Sequence, residues 1–135
     1  MLTSGGLAFY ERVFTPAEQR VYGYMPSSLA ACFAGKEAVS KVLGTGLSIG
    51  EPDRVSCTDI EILPGEPLYV HLFNEAQRIA HQLDLATVVV RCFFTGPHIV
   101  AVAAGTSRDD HRDGLLNCIE QVGAQITSQM SHQKG

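Results

Sequence analysis

The residues best suited to chemistry lie together in one stretch, residues 32–47, which reads CFAGKEAVSKVLGTGL. Glu37 supplies a carboxylate, Lys41 an ammonium four positions later, and Gly44-Thr45-Gly46 a glycine-bracketed turn just beyond them. At 3.6 residues per turn, positions i and i+4 share one helix face, so the acid and the cation can address one ligand. Such a carboxylate can ligate a metal, the ammonium can seek phosphate, and amides exposed in a glycine turn can approach an anion closely. That combination suits a nucleotide or a phosphate ester. A solvated Glu/Lys pair ahead of a glycine helix stop has the same spacing, so spacing alone leaves both readings open.

The order of the whole segment narrows the choice. It resembles the FAxKEAxxKxLGTG signature of the holo-acyl-carrier-protein synthase type of phosphopantetheinyl transferase, which moves phosphopantetheine from coenzyme A to a carrier-protein serine. Upstream, Arg12-Val13-Phe14-Thr15-Pro16-Ala17-Glu18 looks like the family's RVFTPAE segment. Downstream, Asp59-Ile60-Glu61-Ile62, Gly65-Glu66-Pro67 and Ile99-Val100-Ala101-Val102-Ala103 resemble its DIEV strand, GxP turn and final AVA strand. The resemblance covers residues 9–105 in the right order.

It implies an α+β fold in which an antiparallel sheet packs with helices, with magnesium and coenzyme A as cofactors and an acyl carrier protein as partner. Glu37 would hold the metal, and Lys41 would assist proton transfer or bind phosphate. Lys36, Gly44, Thr45, Gly46, Gly65 and Pro67 would belong to the coenzyme A site. Arg12 and Arg20 lie on the segment that docks the acidic carrier protein, where cations steer such a partner. The family assembles as a trimer with active sites between neighbouring subunits, so the resemblance implies a homo-oligomer.

The chain also departs from the pattern at chemically important places. The family begins with a strand whose glycine-x-aspartate motif gives the second magnesium ligand, and here no aspartate precedes Asp53. Where the family has serine-x-serine-histidine, this sequence reads Val90-Arg91-Cys92-Phe93-Phe94-Thr95, with Phe94 in the histidine's place. Asp59 and Glu61 are read as surface positions rather than as a replacement metal pair. A poorly held metal weakens the electrostatic stabilisation of the transferring group, and phenylalanine for histidine removes a titratable group.

Three functions remain compatible with these residues. One is a minimal phosphopantetheinyl transferase. A second is an enzyme repurposed for cyclisation, dehydration or isomerisation of a small or carrier-bound metabolite in a polyketide-type pathway. It would need no cofactor: Phe93 and Phe94 would wall a pocket, and Glu37, Lys41 or His98 would act as acid or base. The third is a non-catalytic protein that binds a carrier. His98, in a turn, could equally be solvated, and His71 is expected to pack or to rim a pocket. Arg91, inside an apolar strand, needs a local carboxylate or a bound anion.

With 135 residues, 45% of them hydrophobic, the chain can bury a core without metal or disulfide support. A net charge of −4 argues against a general nucleic-acid binder. Cys32, Cys57, Cys92 and Cys118 have no metal-binding spacing and sit among apolar neighbours, as buried free thiols do, which implies a reducing cytoplasm. No basic leader or membrane-length apolar run is present, so a soluble cytoplasmic protein with no membrane partner is expected.

The patterning predicts one domain over 1–130 and a loose tail over 131–135. Residues 7–22 read as two helical pieces broken at Pro16. Ser28 is expected to cap a helix over 29–43, and Asn74 a helix over 74–83. Alternation predicts strands over 57–63, 68–73 (covered on both faces) and 87–94, with Thr95-Gly96-Pro97-His98 turning a hairpin into 99–105. Leu115, Leu116, Ile119, Val122 and Ile126 predict an extra C-terminal helix over 112–130. It could fill the place of the missing first strand or form a subunit contact.

Overall fold

The computed structural model describes residues 3–49, 51, 54–107 and 112–132. Its elements run α1 (Ser4–Val13), α2 (Pro16–Tyr22), α3 (Pro26–Val42), a 3-10 turn (Cys57–Asp59), β1 (Ile60–Leu63), β2 (Tyr69–Leu72), α4 (Asn74–Gln82), β3 (Thr87–Thr95), β4 (His98–Thr106) and α5 (Arg112–His132). This is the expected α+β arrangement of helices and antiparallel strands. Asp53 and residues 133–135 of the expected tail lie outside the described residues, while Ser131 and His132 continue α5.

Pro16 divides the first helical pieces because it can open a helix but cannot continue one. Thr15 caps α2 in a capping box: its Oγ1 accepts from the Glu18 N–H (3.2 Å), and the Glu18 carboxylate accepts from the Thr15 N–H (2.8 Å). Helix α3 starts earlier than expected. Pro26 occupies its first turn and Met25 is its N-cap, so Ser28 lies inside the helix rather than capping it. Asn74 is likewise not the cap of α4; Phe73 takes that position, and the Asn74 amide donates to Asp59 Oδ1 instead (3.1 Å).

Strands β1 and β2 pair from Ile60↔Leu72 to Leu63↔Tyr69, and β3 and β4 from Thr87↔Thr106 to Thr95↔His98. The Leu68 N–H donates to the Val90 carbonyl (3.3 Å) and links the two ladders. Gly96, at φ 61°, occupies the first position of the two-residue hairpin turn, where positive φ matches strand twist. Successive strand residues face opposite ways. Val90 and Cys92 therefore meet α3, at Gly35 and at the Ala31 carbonyl, while Arg91 and Phe93 meet α5, at Glu120 and Gly123.

The core lies between α3, the inner faces of β1 and β3, and α1, and includes Val13, Phe14, Val39, Leu43, Ile60, Ile62 and Val90. Strand β2 differs from expectation: Tyr69 and His71 are exposed, so only its Val70/Leu72 face is covered. Helix α5 covers a face of the hairpin instead of adding a strand. Among the described residues β4 pairs with β3 alone, leaving its outer edge open. No helix of the described residues is long and apolar enough to cross a membrane.

Candidate functional site

Glu37 and Lys41 both line a cleft of about 600 Å³ that runs along β4 between α3 and α5. Its other walls are Ala34, Ala38 and Val42 of α3, residues 99–103 of β4, and Val122 and Ile126 of α5. Both charged side chains are exposed. The small residues Ala34 and Ala38 on the same helix flank keep the cleft open around the carboxylate. At the end of α3, Gly44 has φ 75°, a conformation that favours glycine, and the Thr45 N–H returns to the Ser40 carbonyl (2.9 Å). Gly44, Thr45 and Gly46 thus form an open turn just past the last turn of α3, which carries Lys41.

The family resemblance puts Lys36 at the coenzyme site, but Lys36 is 0% exposed and points into the core, away from the cleft. Its ammonium pairs with Glu18 Oε1 (2.8 Å) and donates to the carbonyls of Cys57 (2.7 Å) and Ile60. Glu18 is also fully buried. Its Oε2 accepts from the Ile62 N–H (2.7 Å) and the Cys32 thiol (3.3 Å). Burial, and then the Glu18 carboxylate, push the Cys32 thiol well up.

A second, smaller cleft of about 240 Å³ opens beside the first turn of α3. It is lined by Tyr22, Ser27, Ser28, Ala31, Cys32, Ile62, residues 64–66, Leu68, Arg91, Cys92 and Phe94. Gly65 therefore belongs here, next to Pro67 and the cis Glu66–Pro67 peptide. Arg91 finds carboxylates, Glu66 at 3.0 Å and Glu120 at 2.6 Å, so an anion is not needed to neutralise it. Phe94 is exposed at the rim, whereas Phe93 lies on the opposite strand face under Gly123. The expected two-phenylalanine wall is thus not formed, because adjacent strand residues cannot share a face.

His98 sits exposed at the start of β4 and lines neither of these clefts. Asp59 is buried rather than a surface position, capping the 3-10 turn at the Ser56 N–H (3.0 Å), and half-buried Glu61 accepts from the Thr15 hydroxyl (2.6 Å). They do not form a metal pair, and no group of three potential metal-ligating side chains occurs among the described residues. His71 is exposed opposite Glu61 rather than packed. Of the four thiols, Cys32 and Cys57 are buried as expected, but Cys92 is half-buried and Cys118 exposed. Arg12 and Arg20 are exposed on the last turns of α1 and α2, near Phe9, Val21, Tyr24 and Met25, which are also exposed.

The comparisons agree with the sequence motifs. A family model for the 4'-phosphopantetheinyl transferase superfamily matches residues 2–103, and the chain belongs to that superfamily. It is 38% identical over 104 residues to a holo-[acyl-carrier-protein] synthase of Alkaliphilus metalliredigens, covering 73% of this chain and 80% of the relative. The corresponding protein of Moorella thermoacetica is 41% identical over 98 residues, covering 68% and 72%. In fold the chain is similar to the Helicobacter pylori holo-[acyl-carrier-protein] synthase crystallised with coenzyme A, with a TM-score of 0.60 and 23% identity over 76% of this chain and 84% of that one.

Proposed function

We propose that this protein is a holo-acyl-carrier-protein synthase-type transferase that moves phosphopantetheine from coenzyme A to a serine of an acyl carrier protein. The observation that carries this reading is the placement of Glu37 and Lys41 on one open cleft wall, in a chain of this superfamily. In the transfer, the serine oxygen forms a bond to the phosphorus bearing pantetheine, the pyrophosphate P–O bond breaks and releases adenosine 3',5'-bisphosphate, and the serine proton must leave. Lys41 is suited to hold a phosphate oxygen or to help move that proton. Because the Gly44 and Thr45 N–H groups already donate to the Lys41 and Ser40 carbonyls, the Gly46 N–H is the amide of this turn that can approach the nucleotide phosphates.

Glu37 would hold magnesium together with water and substrate oxygens, a donor set that such ions accept with one or two carboxylates. The ion, when bound, would neutralise charge on the pyrophosphate. The family's second acid has no counterpart before Asp53. The open edge of β4 beside Glu37 is where an added strand would bring one.

The smaller cleft, with Gly65 and Phe94, shares no lining residue with the Glu37 cleft. We place it at the complementary half of the active site, contributed by a neighbouring copy, as the family's intersubunit sites imply. The exposed Arg12 and Arg20 then serve the acidic carrier protein, by electrostatic steering. The alternative of pathway chemistry lacks the pocket wall it requires, since Phe93 and Phe94 diverge.

The test is intact-mass analysis of apo carrier proteins incubated with this protein, coenzyme A and magnesium. The expected result is a phosphopantetheine mass gain that Glu37→Ala reduces by about 10²–10³-fold, as for loss of one charge-stabilising group. The melting temperature should move by no more than about 2 °C, because an exposed carboxylate contributes little to stability. Transfer retained in full by Glu37→Ala would remove the assigned role.

A further inference from the structure

We propose that the buried Glu18–Lys36 pair is a positioning device that fixes the rotation of α3 and so aims Glu37 and Lys41 into the cleft; its activity readout rests on the transferase reading. The pair is too costly to be explained by stability alone. Buried ion pairs pay a desolvation penalty, and apolar side chains of similar size commonly replace them without loss. What the pair does provide is direction. An apolar side chain at position 36 could slide against β1, whereas an ammonium must meet acceptors at fixed points.

Those three points come from two separate parts of the fold. Lys36 is held by Glu18 of α2 and by the carbonyls of Cys57 and Ile60 on the segment entering β1. Glu18 is itself held from four sides, by the N–H groups of Thr15 and Ile62, by the Cys32 thiol and by Lys36. Cys32, Lys36 and Ser40, spaced four apart, lie on the buried stripe of α3 with Gly35 and Val39. Ala34, Glu37, Ala38 and Lys41 form its cleft stripe. Lys36 and Glu37 are adjacent, so the direction of one sets the direction of the other.

The geometry is sensitive. A helix rotation of about 20° moves a side-chain end about 5–6 Å from the axis by about 2 Å. A misplacement of about 1 Å can cost about 10²-fold in rate.

The experiment compares Glu18→Gln/Lys36→Met, which removes both charges and keeps an amide at position 18, with Val55→Ala, a core substitution outside the pair. Both are studied below their melting transitions, followed by circular dichroism. The expected result for the double variant is a kcat for transfer lower by about 10²-fold, with KM for coenzyme A changed less than about 3-fold and Mn²⁺ affinity about tenfold weaker. Val55→Ala should change none of these. A folded double variant with wild-type kcat and Mn²⁺ affinity overturns the proposal.

If the wild-type chain neither transfers nor binds Mn²⁺, the transferase reading fails, and crystal structures of wild type and double variant decide the positioning role. A displaced Glu37 carboxylate supports it; an unmoved one overturns it. Should the double variant not fold, Lys36→Arg, which keeps the charge but relocates its donors, is put through the same measurements with the same two outcomes.

Discussion

Lys36 and Glu37 are neighbours in sequence with opposite fates, one sealed in the core and the other open to the cleft. The Glu37/Lys41 pair was legible because helical spacing alone puts both on one face. Lys36 and Glu18 were not, because charged residues on amphipathic segments ordinarily face water, and only the capping box around Thr15 signals that Glu18 has fixed partners. A single carboxylate makes a weak metal site, which suggests a gain-of-function test. Ala34→Asp adds an acid one turn before Glu37 on the same cleft wall and should tighten Mn²⁺ binding about tenfold, read by electron paramagnetic resonance titration. The buried Cys32 thiol and the half-buried Tyr22 phenol make a different prediction. Burial raises Cys32 above its ordinary 9.0 and Tyr22 above its ordinary 10.0. In the unfolded chain both groups release protons near those ordinary values while the folded chain still holds them. The unfolded state then binds fewer protons, so stability is full below about pH 9 and falls as pH rises further. Thermal melts between about pH 7 and about pH 10.5 should show this decline, and Cys32→Ala should lessen it while the raised Tyr22, Cys57 and Cys92 keep part of it.

At the level of elements, α5 and the β3–β4 hairpin depend on one close approach. A Cβ at Gly123 would lie 2.0 Å from the Phe93 ring, so this glycine is what lets the helix sit on the strand. Gly123→Ala should lower stability by about 1–3 kcal/mol through overpacking, although alanine is the better helix former by about 1 kcal/mol. Urea unfolding would show the loss as a lower midpoint, and Phe93→Leu in the same chain should restore part of it. The helix itself was readable from the spacing of Leu115 to Ile126, and the hairpin from Gly96-Pro97. The seat was not, because an interior glycine looks the same whether it relieves a contact or merely weakens a helix. Strand period separates Phe93 from Phe94, since a wall needs residues two apart and the alternation places Phe93 with Arg91. The open face of β2 escaped for a related reason: Tyr69 and Phe73 look like core residues, yet they are 62% and 42% exposed.

For the whole molecule, the question is whether one chain or two make a working site. The Glu37 cleft and the Gly65/Phe94 cleft have no lining residue in common, and family motifs line both. If neighbouring copies join them, a copy defective in one cleft can be complemented by a copy defective in the other. Ser28→Trp should fill the smaller cleft with little effect on the fold, because Ser28 is only half-buried at its rim. Glu37→Ala should disable the larger cleft. Each variant alone should be inactive in the carrier-protein assay. Co-expressed at equal levels in a closed ring where every site pairs Glu37 of one copy with the smaller cleft of the next, about a quarter of the sites receive two intact halves. Activity near a quarter of wild type in the mixed assembly would then support a shared site. A mixed assembly as inactive as its parents would place both halves of the site in one chain, and the division between the two clefts would have no catalytic meaning.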